Sequence, residues 1–250
     1  MDLLNCNRII MPLPKINTPT YELVLPSNNK KIKYRPFLVR EEKILIIALE
    51  SQDMKQITDA IVEILNACVM TKGVEITKLA TFDIEYLFLN VRAKSVGETV
   101  DVNITCPDDG ETSVEMEIPI DAIKVKKTKN HKNIIKLDDQ YSMKLKYPEL
   151  SKFVENNFEV GSDTSDVSKS LSMITSCIEM IYDNEESWDA NDSTTEELEE
   201  FIEQLNTKQF KEVERFFDTM PKLSHTVKVN NPKTKVESDV VLEGLAAFFT

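Results

Sequence analysis

The chain has 250 residues, of which 41% are hydrophobic and 29% charged, and its formal net charge is -13. This length allows one large domain or two small ones, and the hydrophobic fraction is sufficient for a buried core. The negative charge repels phosphate backbones, which argues against a nucleic-acid partner, and the longest apolar run, ILIIAL at 44–49, is far too short for membrane insertion.

The cysteines and the start of the chain indicate a protein made in a cytoplasm. Cys6, Cys68, Cys106 and Cys177 are far apart in sequence, so they offer no ligand pair for zinc and are expected to be reduced thiols. The first residues include an acidic side chain and two prolines, Pro12 and Pro14, which is unlike a signal peptide. We expect the protein to work in that cytoplasm or in something assembled there.

Residues 1–98 are predicted to form an N-terminal arm, a hairpin and a helical core. Prolines make the first residues an extended arm, because each one removes a backbone donor. The runs YELVLP (21–26) and KIKYRPF (31–37) flank an asparagine-rich turn and predict a β-hairpin. Apolar residues at steps of three and four predict helices over 40–51 and 53–69, the second capped by Asp53.

The stretch FDIEYLFLNVRAKSVGE (82–98) predicts a central helix. Thr81 is the expected N-cap, and Asp83 and Glu85 fall in the first turn, where the helix dipole favours negative charge. Arg92 and Lys94 fall near the other end, where it favours positive charge. Apolar residues cover most of the helix circumference, so we expect it to pack against more than one neighbour.

Residues 99–147 are predicted to form a small antiparallel β region. TVDVNITC and TSVEMEI alternate polar and apolar residues around the turn PDDG, which is typical of a hairpin. A lysine-rich run follows, with no acidic residue from 122 to 137, and QYSMKLKYP (140–148) predicts another strand. The lysines of that run are Lys124, Lys126, Lys127, Lys129, Lys132 and Lys136.

Residues 148–221 are predicted to be helical with an acidic segment, and residues 222–250 to form a hairpin with an apolar tail. Helices are expected after Pro148, over 165–183, after a capping box of Thr194 and Glu197, and up to Pro221. The stretch 183–203 has ten acidic residues and no lysine or arginine. The fold class is therefore α+β, a helical core with antiparallel β-hairpins. The alternative that 222–250 forms one single domain with 1–98 stays open.

The sequence offers few candidates for catalytic residues. Neither His131, expected in a solvated lysine-rich loop, nor His225 stands in a known nucleophile motif, and glycine-rich phosphate loops are absent. Residues 189–200 partly match a calcium loop, but Thr194 stands where glycine is needed, and a capped helix explains the segment better. No catalytic, cofactor-binding or metal-binding residue is predicted, although a pair of carboxylates with glycosidase function has no fixed spacing and stays open.

Three surfaces are candidates for partner binding. The lysine run, with Lys126 and Lys127, either attracts an acidic partner or is a solvated strand edge that discourages pairing. It is complementary to the acidic stretch 183–203, within one chain or between two copies. The tail residues Phe248 and Phe249 dock either on the chain's own core or on a partner, and the third candidate is the helix end with Arg92 and Lys94.

Two stretches carry a resemblance to a known family. KKIKYRPFLVREEKILIIALES (30–51) and FDIEYLFLNVRAKSVGETV (82–100) resemble baseplate proteins of T-even-like, contractile-tailed bacteriophages. The end of the chain, from FFDTMPKLSHTVKV to VVLEGLAAFF, is similar to the same family. The resemblance covers 20–250 and is strongest from 30 to 100. Some members carry paired cysteines near the hairpin, whereas Cys106 stands alone, so no metal is expected here.

The resemblance implies a role in assembly of the central hub of the tail baseplate. It implies no catalytic residues and no cofactor, but binding to other baseplate hub proteins, in the host cytoplasm during assembly. The protein is then an assembly factor absent from the virion, which its size and acidic stretch favour, or a structural hub subunit in the virion tail baseplate. Self-association stays open, and the alternative of another class is a carboxylate-based cell-wall hydrolase. Deleting 245–250 is expected to leave a folded protein that fails in hub assembly.

Overall fold

The computed structural model describes residues 16–150 and 166–248. The first part of the chain forms a hairpin and three helices, and their bounds agree closely with the sequence prediction. The elements are β1 (Tyr21–Val24), β2 (Lys31–Tyr34), α1 (Val39–Ser51), α2 (Met54–Cys68) and α3 (Thr81–Ala93), with a 3-10 turn at Ile76–Lys78. Asp53 caps α2 as predicted, because its carboxylate accepts hydrogen bonds from the N–H groups of Lys55 and Gln56.

The middle of the chain is made of strands. These are β3 (Thr99–Thr105), β4 (Ser113–Pro119), β5 (Lys124–Lys126), β6 (Ile134–Lys136) and β7 (Ser142–Leu145), with a 3-10 turn at Ile120–Ala122. The hairpin of β3 and β4 is confirmed, with Thr99 opposite Pro119 and Thr105 opposite Ser113. Its buried side chains alternate along β3, as one-sided packing of a strand requires.

The last part of the chain mixes helices and strands. In chain order it contains α4 (Asp166–Ser176), β8 (Ile178–Tyr182), β9 (Ser187–Asp189), α5 (Thr195–Glu203), α6 (Thr207–Thr219), β10 (Lys222–Asn230) and β11 (Glu237–Glu243), with 3-10 turns at Ala190–Asp192 and Leu245–Phe248. Thr194 and Glu197 form the predicted capping box at the start of α5. The helix predicted after Pro148 lies largely outside the described residues.

The helix predicted over 165–183 is wrong in its second half. The helix ends at Ser176, and the next residues form β8, which pairs with β7 on one side and β9 on the other. Ile178 and Ile181 fit a helical spacing, yet they are buried equally well from the strand. The segment IEMIY is rich in residues favoured in strands, and two pairing partners decide the outcome.

Four antiparallel sheets join these strands. The orders are β1-β2, β3-β4, β11-β10-β5 and β6-β7-β8-β9. Two of the sheets cross the segment boundaries expected from sequence, because β5 pairs with β10 and β7 pairs with β8. The chain is α+β, with hairpins and helices in separate stretches, as the sequence predicts.

The helix α3 joins two of the three hydrophobic clusters. Leu87 and Phe88 belong to the first cluster, with α1, α2 and the first hairpin. Leu89 belongs to the second, with β3, β4, β5, β10, β11 and the tail, whereas the third cluster lies around α4, α5, α6 and the four-stranded sheet. The prediction of a central helix is confirmed, but its first residue is Thr81 itself, and Ala80 at the N-cap makes no side-chain hydrogen bond.

His131 is not the solvated loop residue expected from its lysine-rich surroundings. Its ring lies 5.6 Å from that of Tyr147 and 5.0 Å from that of Phe216, and its Nδ1 is 3.0 Å from Thr219 Oγ1. Burial lowers its pKa. The loop before β6 is therefore fixed against the end of α6.

The tips of two hairpins are joined by a hydrogen-bonded clamp. Asn231 is buried, and its amide donates to both oxygens of Asp108, each at 3.0 Å. The hydroxyl of Thr234 donates a hydrogen bond to the same carboxylate. The side-chain oxygen Oδ1 of Asn231 accepts one from the N–H of Lys233 at 2.8 Å. The turn CPDDG after β3 is thereby held against the turn after β10.

We expect Asn231→Ala to lower the free energy of unfolding by about 1–3 kcal/mol, because it removes a buried amide and the hydrogen bonds by which that amide joins the two hairpin tips. Urea denaturation of Asn231→Ala, Asp108→Ala and the double variant measures this. The double variant should cost less than the sum of the single variants, because the partners share hydrogen bonds. Strictly additive losses would show that the two hairpin tips are not coupled.

Among the helices of 16–150 and 166–248, none is long and apolar enough to cross a membrane.

Candidate functional site

Two acidic residues of α3 hold the first hairpin and the tail segment at Leu245 against the helical core. Asp83 is fully buried and accepts hydrogen bonds from the N–H of Ser27, at 3.0 Å, and from its hydroxyl. Glu85 accepts one from the N–H of Leu245 at 3.0 Å. The sequence predicted both residues near the start of α3, where the helix dipole favours negative charge. The structure shows that they also hold the first hairpin and the tail in place through these hydrogen bonds.

An apolar groove of about 620 Å³ opens where these elements meet. We call it the helical groove. Its walls come from α1, α2 and α3 on one side and from the segments 220–223 and 243–245 on the other. The apolar lining residues include Leu45, Leu49, Ile57, Ile61, Phe88 and Leu223. Such a concave apolar surface with few polar groups is typical of a binding site for an apolar ligand or protein segment.

The groove continues onto an exposed apolar face of α1. Leu49 lines the groove and is 37% exposed, and Ile46, one turn before it, is 48% exposed. Ile47 is 66% exposed on another side of the same helix. The face of α1 opposite Ile47 holds Leu45 and Ala48, which are buried in the core. A helix with apolar residues on both its core-facing and its exposed face is typical of an element that packs within the chain on one side and against a partner on the other.

Glu85 is one of two carboxylates that line the helical groove. Burial raises its pKa, and the hydrogen bond from Leu245 offsets part of that effect. Glu243, which also lines the groove, lies 4.0 Å from the ammonium group of Lys222. A buried acid in an apolar cleft is a feature of some hydrolases, but Glu85 already holds a backbone N–H of the tail, which explains its position without catalysis.

The predicted candidates at the end of α3 contact the chain itself. Arg92 donates from Nη1 to the carbonyl oxygen of Thr99 at 3.1 Å, and burial lowers its pKa. The ammonium of Lys94 lies 2.5 Å from Glu98 and 5.6 Å from the ring centre of Tyr21. These contacts join α3 to β3 and to the first hairpin, so both residues have a structural role.

The two candidate lysines lie away from the helical groove. Lys126 donates to the hydroxyl of Thr226 at 3.2 Å, across the pair of β5 and β10, and Lys127 donates to the carbonyl oxygen of Pro26. Both side chains are exposed apart from these contacts. The structure therefore brings neither lysine together with Arg92, Lys94 or the tail into one site.

The sequence left open whether the tail docks on the chain's own core or on a partner. In the structure, Phe248 docks on the core. Its side chain is 0% exposed and belongs to the second hydrophobic cluster. Its ring is enclosed by the chain itself in this structure, and its assignment as a partner contact stays a prediction. Phe249 lies outside the described residues, and its role stays a prediction.

The cysteines of the described residues are buried thiols. Cys68, Cys106 and Cys177 are free, and burial raises the pKa of Cys68 and of Cys177 to about 11. No group of three or more His, Cys, Asp or Glu side chains that could hold a metal ion occurs within 16–150 and 166–248. The calcium-like segment is a 3-10 turn in which Asp189 accepts from the N–H of Asn191, followed by the capped start of α5.

The run ILIIAL at 44–49 is a sequence signal for the helical groove. Six consecutive apolar residues on one helix necessarily reach every side of it. One core face cannot bury them all. The run therefore predicts an exposed apolar strip wherever a helix contains it.

The comparisons with known proteins agree with the resemblance seen in the sequence. A family model described as T4 bacteriophage base plate protein matches residues 18–250. No match was found among the curated proteins or among the solved structures.

Proposed function

Because the chain belongs to the T4 bacteriophage base plate protein family, we propose that it is a non-enzymatic assembly protein of the baseplate hub that acts by binding other hub proteins. The helical groove and the exposed face of α1 carry this proposal. Membership of the family implies contact with other phage proteins, and the helical groove offers them an apolar concavity of about 620 Å³.

The groove suits a helix or an apolar segment of a hub protein. Burial of apolar surface contributes about 25 cal/mol per Å², of which association consumes a part through lost freedom of motion. Leu49 and Ile46 would contribute from α1, and the partly exposed Met220 and Leu245 from the opposite wall. Holding a hub component in this way lowers the entropic cost of the docking steps that follow.

Charged surfaces would add selectivity. Lys94, Lys126 and Lys127 remain exposed and are proposed as secondary contacts, together with Phe249. The acidic stretch 183–203 favours a transient assembly factor in the host cytoplasm over a subunit retained in the virion tail baseplate. Electrostatic complementarity acts mainly on association rate and partner choice, which is what an assembly factor needs.

We expect Ile47→Glu combined with Ile46→Glu to abolish capture of hub proteins from phage-infected cells, because a charge cannot be buried in an apolar interface. Affinity pull-down followed by mass spectrometry measures the loss. Val241→Glu is the matched control, because Val241 is 53% exposed on β11, outside the groove. Equal capture by the double variant and the control would contradict the role of α1, provided that circular dichroism shows both to be folded.

Two further measurements separate the alternatives. Mass spectrometry of purified virions distinguishes an assembly factor, which is absent, from a retained hub subunit, which is present. Incubation of the purified protein with peptidoglycan tests the cell-wall hydrolase. Clearing that is lost on Glu85→Gln would overturn the non-enzymatic proposal.

A further inference from the structure

A second groove, of about 480 Å³, lies on the other side of the fold and has aromatic walls. We call it the aromatic groove. It is formed by the turn after β6, by β8 and β9, and by α5 and the start of α6. Trp188 is 41% exposed in its wall, and the ring of Tyr141 lies 6.3 Å away at an angle of 48°. Phe201 and Leu205 supply further apolar surface.

The surroundings of the aromatic groove are strongly negative. Asp138 and Glu197 belong to its lining, and the stretch 183–203, which supplies much of the wall, has ten acidic residues and no lysine or arginine. Lys136, next to the groove, is paired with Asp139 at 2.8 Å. A ligand that complements this surface carries several positive charges on long apolar stems. Lysine does so, because its ammonium is attracted to tryptophan and tyrosine rings and its stem packs on apolar surface.

The same chain presents such a ligand. The loop between β5 and β6 carries Lys127, Lys129 and Lys132 and no acidic residue of its own. All three side chains are exposed, although Lys127 also donates to the carbonyl oxygen of Pro26. We call it the lysine loop. It needs no refolding to become a ligand, because it is already held at one end by His131.

The lysine loop is held far from the aromatic groove of its own copy. His131 contacts Phe216 and Thr219 at the C-terminal end of α6, whereas Gln209 brings the N-terminal end of α6 to the groove. A helix rises 1.5 Å per residue, so these ends are roughly 15 Å apart. The loop and the groove also lie at opposite ends of β6. Each copy thus shows a ligand and a receptor that face different directions.

We propose that the aromatic groove binds the lysine loop of a second copy of this chain, so that copies associate head to tail. The contact joins two different surfaces, and it therefore builds a ring if the rotation closes and an open chain if it does not. The proposal does not rest on hub binding, because the loop and the groove belong to the purified chain and neither is part of the helical groove.

Trp188 gives a direct signal for binding, because it is the single tryptophan of the sequence. A synthetic peptide of residues 123–136 is expected to change its fluorescence saturably, with an affinity that falls about tenfold or more between low and high salt. The control is the same peptide with glutamine in place of every lysine, which should have no effect. Sedimentation velocity of the intact protein should show concentration-dependent association with the same dependence on salt.

Charge exchange then tests which surfaces meet. A loop variant, Lys129→Glu with Lys132→Glu, should be monomeric alone. So should a variant of the acidic stretch that borders the groove, Glu186→Lys with Glu200→Lys. All four positions are exposed, so both variants are expected to fold. An equimolar mixture of the two should regain association, because opposite charges again face each other.

The outcomes are separable. Recovery of association in the mixture supports the proposal. A monomeric wild-type protein at every concentration overturns it, and so does peptide binding without self-association, since the groove would then serve a different cationic protein. Association that is unaffected by either variant also overturns it, because the contact would then lie elsewhere.

Discussion

Replacing Phe248 by alanine is expected to lower the free energy of unfolding by about 3–5 kcal/mol, the usual cost of removing a fully buried ring. The side chain is 0% exposed and packs in the cluster that joins α3 to the sheets of β3-β4 and β11-β10-β5. Urea denaturation followed by circular dichroism measures the loss. The ring packs in the second hydrophobic cluster, and α3 links that cluster to the first one. Loss of the ring should therefore weaken both clusters together, so unfolding should remain one transition.

Two controls make this result specific. Phe248→Leu keeps most of the buried volume and should cost less than half as much. Val241→Ala removes a similarly apolar but exposed side chain and should change the free energy of unfolding by less than about 0.5 kcal/mol. Equal stability of Phe248→Ala and the wild type would show that the ring is free in solution and available to a partner.

The burial of Phe248 changes the expected result of deleting 245–250. The deletion removes both this ring and the hydrogen bond from Leu245 to the partly buried carboxylate of Glu85. Loss of that hydrogen bond adds to the loss of packing. We therefore expect a destabilised chain and not the folded, binding-deficient protein that the sequence suggested.

Replacing Glu41 by glutamine is expected to cost about 3 kcal/mol at neutral pH. Glu41 is buried in α1, and its carboxylate accepts from Arg35 at 2.9 Å, from Arg40 at 2.6 Å and from the N–H of Leu38 at 2.7 Å. Burial raises its pKa, but these hydrogen bonds outweigh burial and lower it from 4.5 to about 2. The difference of roughly 2.5 pKa units corresponds to that energy at 1.36 kcal/mol per unit.

The contribution of Glu41 to the free energy of unfolding should depend on pH in a defined direction. Because the pKa of Glu41 is lower in the folded state, its contribution is complete above the unfolded value of 4.5 and is lost as pH falls towards 2. The difference in unfolding free energy between wild type and Glu41→Gln should be constant above about pH 6 and shrink below pH 4.5. Denaturation at a series of pH values measures it. Glu50→Gln, at an exposed position on the same helix, should show neither effect, and an unchanged difference at pH 3 would exclude the ion cluster as its source.

Local signals determined most of the elements. The capped starts of α2 and α5 depend on Asp53 and Thr194, whose side chains bond to N–H groups two or three residues ahead. The hairpin of β3 and β4 depends on a turn between alternating strands. Both kinds of signal act within a few residues, so the sequence displays them completely. The circumference of α3 likewise predicted its central place, because side chains apolar on most sides need neighbours on most sides.

The candidate site was less predictable. Of the residues selected from sequence, Arg92 and Lys94 turned out to link α3 to β3 and the first hairpin, and Phe248 to fill the core. Charge and aromatic character mark a residue that makes strong contacts, but they do not say whether the partner is the same chain. That depends on which segments, distant in sequence, the fold brings beside it.

The sequence by itself determined the α+β class, the bounds of most helices and hairpins, and the family of phage baseplate proteins, since each is written in local patterns or in a specific stretch of residues. Only the tertiary structure decided that 178–182 is a strand, that Asp83 and Glu85 hold the first hairpin and the tail, and that α1 and the tail enclose an apolar groove. Each of these depends on contacts across many residues, whose free energy exceeds the small preferences of a single segment.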